Sequence, residues 1–149
     1  MRTLGSFEPD KKVDQVIRVC IAGATGWAGS ELARAVGKAA DLSFVSAVSR
    51  THAGKTLGTV LNEPGLAVPI FASVNDALAA PCDVVVEYTK PDSAKANILT
   101  ALEHRCHVVV GTSGLTEDDF AGIDVVARRC QRAVLACGNF ALLPGRPSG

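Results

Sequence analysis

Gly23-Ala24-Thr25-Gly26-Trp27-Ala28-Gly29 is the stretch that decides the fold of this chain. It follows an apolar run, Val16-Ile17-Arg18-Val19-Cys20-Ile21-Ala22, and leads into a helix-like segment, Ser30-Glu31-Leu32-Ala33-Arg34-Ala35-Val36. That order is strand, tight turn, helix. Glycine closes the turn and lets backbone come near a ligand, and the helix start offers unpaired N–H groups and the positive end of the helix dipole. The loop is therefore expected to seat a dinucleotide pyrophosphate. Its spacing is G-x-x-G-x-x-G, with Thr25 where the strict G-x-G-x-x-G fingerprint has glycine. Its position between first strand and first helix is what the fingerprint requires.

The rest of the chain repeats the alternation. Valine- and isoleucine-rich runs at 16–22, 43–49, 83–88, 107–110 and 133–136 read as strands buried on both faces. A helix over 27–39 would carry Leu32, Ala35, Val36 and Ala39 on one face. A short helix follows Ser73, which has capping-box spacing to Asp76, and Pro81 marks its end. Another opens at Pro91, a residue suited to the first helical position, with Ala94, Ile98, Ala101 and Leu102 facing inward. The last opens at Thr116 with Glu117, Asp118 and Asp119 in its first turn, and Phe120, Ile123, Ala127 and Cys130 form its stripe. The segment 50–69 reads as loop, with one short strand around 70–72. This pattern predicts an α/β domain: a doubly wound parallel sheet of the Rossmann type over 16–142. Residues 1–15 form a polar extension, expected to be disordered or loosely docked, and 143–149 a turn-rich tail.

Composition narrows the function. The 149 residues suit one domain with a real core, at 48% hydrophobic and 20% charged. Lys and Arg total 15 and so do Asp and Glu, which gives no electrostatic case for nucleic acid or an anionic membrane surface. No apolar run has the length of a membrane span, and 1–15 has no signal-peptide core. The five cysteines include no CxxC pair, so neither a disulfide framework nor a metal site is expected. Cys20, in an apolar strand, and Cys130, on a helix face with Phe120 and Ile123, read as small buried hydrophobes, and a reducing cytoplasm fits best.

The strand ends carry the remaining site. An NAD-preferring fold places an acid about 20 residues past the glycines to hold the ribose 2′-hydroxyl. Here the second strand ends in Ser49-Arg50-Thr51, with no acid. A guanidinium at Arg50 suits a 2′-phosphate, which favours NADPH over NADH, and Ser49 and Thr51 add hydroxyl groups. Later strands end in Tyr88-Thr89-Lys90-Pro91, Gly111-Thr112-Ser113-Gly114 and Cys137-Gly138-Asn139-Phe140. Small, hydroxyl and aromatic residues at one carboxyl edge suit a nicotinamide ring and its ribose.

Glu87-Tyr88-Thr89-Lys90-Pro91, Val109-Val110-Gly111-Thr112-Ser113-Gly114-Leu115 and Asn139-Phe140 resemble, in order and spacing, the N-terminal domain of the dihydrodipicolinate reductases, also called 4-hydroxy-tetrahydrodipicolinate reductases. The resemblance runs from Val16 to Phe140. It implies hydride transfer from NADPH or NADH to a cyclic dicarboxylate in lysine and diaminopimelate biosynthesis, by a cytoplasmic homotetramer. It implies that Gly23, Ala24, Thr25, Gly26, Trp27 and Ala28 bind the pyrophosphate and that Arg50, beside Ser49, sits by the adenosine ribose. It further implies that Gly111, Thr112, Ser113, Cys137, Gly138, Asn139 and Phe140 hold the nicotinamide end, with Tyr88 and Thr89 nearby and Thr112 close to substrate. Four positions depart from the family pattern besides Thr25: Trp27 replaces the loop arginine, Ser113 a threonine, Leu115 a phenylalanine, and Ala141 a serine.

The family's catalytic motif, E-x-H-H-x-x-K followed by P-S-G-T, belongs to a second α+β domain that also assembles the tetramer. His52, His104 and His107 are not adjacent to one another, so no catalytic residue is expected in this chain, and the terminal Pro147-Ser148-Gly149 is read as coincidence. The chain reads as a truncated or fragmentary member that binds cofactor without completing the reaction. Two alternatives stand beside it. One is a domain of an N-acetyl-glutamyl-phosphate or aspartate-semialdehyde type dehydrogenase, whose thioester chemistry would need a nucleophilic cysteine such as Cys137. The other is a non-catalytic NAD(P)-binding module.

Overall fold

A computed structural model describes residues 2–5 and 16–137. Seven strands form one sheet: β1 (Arg2–Gly5), β2 (Ile17–Ala22), β3 (Leu42–Val48), β4 (Ile70–Phe71), β5 (Val84–Glu87), β6 (His107–Val110) and β7 (Ala133–Ala136). Five helices connect them: α1 (Trp27–Lys38), α2 (Leu57–Leu61), α3 (Val74–Ala77), α4 (Pro91–Glu103) and α5 (Glu117–Cys130). The order across the sheet is β1-β7-β6-β5-β2-β3-β4, and every pairing is parallel except β1 on β7. From β2 onward this is the doubly wound Rossmann order, with the switch point between β2 and β5.

Alternation along the central strands divides the core into two layers. Cys20 and Ala22 of β2 face the layer built with α4 and α5, while Val19 and Ile21 face the layer built with α1 and α2. Val85, Val108 and Val134 extend the first layer; Val86, Ala47 and Leu57 extend the second. Strands buried on both faces need apolar residues at both parities, which is why these runs carry no polar alternation.

Three expectations are corrected. The N-terminal extension is not wholly loose, because Arg2–Gly5 pairs antiparallel with β7 and Leu4 is buried in the first layer. The rest of that extension lies outside the described residues, as does the 143–149 tail. The 50–69 segment contains α2, capped by the Thr56 hydroxyl, which accepts from the Thr59 amide, and stopped at Asn62 in the left-handed region. Its Leu57, Leu66 and Val68 are buried because they close the second layer over β3 and α1. On α1 the inward face is Gly29, Ala33 and Val36, and Ala35 is exposed, since the helix rotates its glycine onto the loop behind it. The short helix after Ser73 ends at Ala77, ahead of Pro81. The inward faces of α4 and α5 fall on the residues their periodicity predicts.

Among the described residues no helix is long and apolar enough to cross a membrane, and no cluster of His, Cys, Asp and Glu has the arrangement of a metal site.

Candidate functional site

Five parallel strands end level with one another. Val48, Ala22, Glu87, Val110 and Ala136 lie in one row across the sheet. The next residue on each strand, Ser49, Gly23, Tyr88, Gly111 and Cys137, forms the carboxyl rim, and ladder hydrogen bonds hold each in place. Gly23, Tyr88, Gly111 and Cys137 donate their amides to Val48, Ala22, Glu87 and Val110 at 3.0, 2.9, 2.9 and 2.7 Å. All five rim residues are among those expected at the site. In an open α/β sheet, ligands bind outside this edge.

The glycine loop is packed too tightly for side chains at two places. Gly23 has a φ of +84°, and a Cβ there would sit 2.4 Å from the Tyr88 carbonyl oxygen. A Cβ on Gly29 would sit 2.0 Å from the Gly23 oxygen, so α1 starts directly against the loop. Gly26 is different: its φ is −72° and its Cβ position is open to within 3.4 Å. Thr25 is compatible with the turn, and its hydroxyl donates to Ser49 Oγ at 3.2 Å, with Thr51 Oγ1 a further 3.3 Å on. This hydroxyl chain joins the glycine loop to the end of β3.

The start of α1 is bare. Gly26 is its N-cap, no side chain caps it and its first turn holds no acid. The amides of Trp27, Ala28 and Gly29 have no acceptor among the described residues. Such a terminus is an anion seat of backbone donors. Trp27, Ala28 and Gly26 are exposed there, Trp27 at 93%, whereas the Ala24 side chain is fully buried in the second layer. Ala24 can therefore meet a ligand only through its backbone. Arg50 is exposed at the end of β3 and, among the described residues, forms no ion pair, so its guanidinium is available to a phosphate.

At the other end of the rim, the Tyr88 ring lies over Gly111, where an added Cβ would be 2.2 Å from the ring. Thr112 is buried and Ser113 exposed. The residue that sequence reasoning did not single out is Glu87. It is fully buried, and its carboxylate accepts from the Thr89 amide at 2.6 Å, from the Thr89 hydroxyl, from Asn97 Nδ2 at 3.0 Å and from the Thr112 hydroxyl at 3.0 Å. The one available signal was an acid ending a run of three valines, which a core strand tolerates only when its oxygens are satisfied. Gly138, Asn139 and Phe140 lie outside the described residues.

Two of the three histidines, His104 and His107, are elsewhere. His104, the C-cap of α4, lies 2.9 Å from Asn75 Oδ1, and His107 Nδ1 accepts from the Ala133 amide at 3.0 Å. Both belong to the amino edge of the sheet, opposite the rim. Burial and then the nearby Arg132 hold the His107 imidazole below its ordinary pKa. Burial pushes the Cys20 thiol up to about 12, as suits a packing residue.

A family profile described as "Dihydrodipicolinate reductase, N-terminus" matches residues 17–140. The 4-hydroxy-tetrahydrodipicolinate reductase of Bacillus cytotoxicus is 30% identical over 127 residues, covering 85% of this chain and 48% of the relative. That of Rippkaea orientalis is 32% identical over 136 residues, covering 87% of this chain and 50% of the relative. The solved structure of a dipicolinate-bound dihydrodipicolinate reductase from Paenisporosarcina sp. TG-14 aligns with a TM-score of 0.69 at 23% identity, over 86% of this chain and 49% of that one. The chain spans about half the length of the curated relatives it matches.

Proposed function

The chain belongs to the dihydrodipicolinate reductase N-terminal domain family, and on that premise we propose that it is the NADPH-binding half of a reductase that delivers hydride to a cyclic dicarboxylate of the 4-hydroxy-tetrahydrodipicolinate class. One observation carries the reading: an α1 terminus without a side-chain cap opens onto a rim of level strand ends, with Arg50 just past the end of β3 and in no ion pair among the described residues. The bare amides of Trp27 and Ala28 hold the pyrophosphate. Arg50, with Ser49 and Thr51 beside it, takes the 2′-phosphate of the adenosine ribose. Tyr88, Thr89, Gly111, Thr112, Ser113 and Cys137, continued by Gly138, Asn139 and Phe140, hold the nicotinamide end. Bound dinucleotide supplies the hydride, and the rim residues orient it and exclude water from its face.

His104 and His107 sit at the opposite edge and are not placed to follow the hydride with a proton. Proton donation and capture of the substrate carboxylates are therefore assigned to groups beyond this domain, and so is assembly into a tetramer. Calorimetric titration of the purified chain with NADPH and with NADH tests the reading. NADPH binds more tightly, and Arg50→Ala weakens it about 10- to 100-fold while changing NADH by less than about threefold, as loss of a charge-assisted phosphate contact requires. Equal losses for both nucleotides would remove Arg50 from the site, and absence of binding by either would remove the dinucleotide reading.

A further inference from the structure

Glu87 is an unusual occupant of its position. Its register neighbours in the row are Ala22 and Val110, and the rest of β5 is Val84, Val85 and Val86. A buried ion pair or carboxyl group contributes little to stability compared with a well-packed apolar residue, so its place in the core calls for another role. No cation pairs with it among the described residues. What it holds is specific. Its donors come from three separate elements: Thr89 in the turn after β5, Asn97 on α4, and Thr112 in the turn after β6. The main chain of Glu87 adds to the same join, its carbonyl accepting from the Gly111 and Thr112 amides at 2.9 and 3.3 Å. The Thr112 hydroxyl also lies 3.0 Å from the Thr89 carbonyl. Two adjacent turns of the rim are thus tied to one buried carboxylate.

We propose that Glu87 is the positioning residue of the nicotinamide end, a buried clamp that sets the Thr89 and Thr112 turns against each other in the arrangement the nicotinamide ring and its ribose meet. The inference rests on the placement of the nicotinamide at this end of the rim. Glu87 does not touch the cofactor; it acts through Thr89 and Thr112. Glutamine at this position keeps the shape but replaces one acceptor oxygen by an N–H donor, which opposes the Asn97 Nδ2 donor when the remaining oxygen faces Thr89 and Thr112. Thr112→Val removes the hydroxyl link and preserves the size.

The test measures two ligands on the full chain. NADPH spans the whole site, and adenosine 2′,5′-bisphosphate occupies only the adenosine end. Glu87→Gln and Thr112→Val are expected to weaken NADPH about tenfold or more, to leave the bisphosphate within about twofold, and to abolish the change in nicotinamide fluorescence on binding. Equal losses on both ligands in both variants would overturn the inference in favour of a general structural role, as would unchanged NADPH affinity and fluorescence. If Glu87→Gln does not fold, Asn97→Ala, which removes a donor to the Glu87 carboxylate from outside the rim, decides between these outcomes. A wild-type chain that binds the bisphosphate as tightly as NADPH, without a fluorescence change, overturns the nicotinamide placement and the inference together but leaves the adenosine end standing. Binding of neither ligand overturns the dinucleotide reading itself.

Discussion

Two helices, α1 and α5, start at the same edge of the sheet, each following a parallel strand, and they treat their first turns in opposite ways. α5 is closed. Thr116 accepts from the Asp119 amide and Asp119 accepts from the Thr116 amide, both at 3.0 Å, and three acids occupy the first turn. α1 is open: its N-cap is a glycine, its first turn holds no acid, and three amides have no acceptor among the described residues. A helix terminus left unsatisfied costs stability unless something else satisfies it. The difference separates a terminus that stabilises the fold from one kept for an anion.

The largest way to break this contrast is Gly29→Ala. Its Cβ would meet the Gly23 oxygen at 2.0 Å, so the loop and α1 must separate. Loss of about 1–3 kcal/mol in denaturant unfolding is expected, with NADPH binding falling below detection. An unchanged affinity would mean the loop does not shape the site. Gly26→Asp closes α1 as α5 is closed, at a backbone geometry that accepts a side chain. The two readouts should then move in opposite directions. Thermal stability rises by a few tenths to about 1 kcal/mol from the cap and the dipole. NADPH affinity falls by about tenfold or more, since a carboxylate occupies and repels the phosphate seat. Trp27, the sole tryptophan of the chain, lies in this loop and reports binding by energy transfer to reduced nicotinamide. A Gly26→Asp variant that binds as well as the parent would sink the anion-seat reading.

Opening α5 gives the converse, smaller effect. Thr116→Ala should cost about 1 kcal/mol, or about 2–4 °C in Tm, with NADPH affinity unchanged. A binding defect there would show that the two termini are not separate in function. The smallest expected effect is a pH dependence confined to α5. The Thr116 amide first, then the Thr116 hydroxyl and Lys95, hold the Asp119 carboxyl below its ordinary value of 3.8. A depressed carboxyl stabilises fully above the unfolded-state value and loses that contribution as pH falls through the folded value. Acid unfolding of Asp119→Asn should therefore show a shallower loss of stability below pH 3.8 than the parent does. Identical acid limbs would mean that the capping box contributes nothing measurable.

Much of this was legible in the residues. Pro91 and Thr116 announce their helices because one suits a first helical position and the other closes a box with Asp119. The valine-rich strands were found to within one residue at each end, since burial on both faces leaves a continuous apolar run. β1 was not legible. Arg2-Thr3-Leu4-Gly5 carries no strand pattern of its own, and only the open edge of β7 makes a partner for it. α2 was hidden because five residues with Gly58 among them are too short a period to read. Glu87 stood inside a quoted motif without a role, because its partners lie up to 25 residues away.

The sequence by itself determined the class of fold, the glycine loop and the candidate rim residues, because each depends on local chemistry: periodicity, capping and the steric freedom of glycine. Only the tertiary structure decided that five strand ends fall in one row, that the first α1 amides have no acceptor among the described residues while the Asp119 amide of α5 is answered by Thr116, and that one buried carboxylate joins two turns. Register and hydrogen-bond satisfaction are properties of chain segments brought together from afar, and no local pattern encodes them.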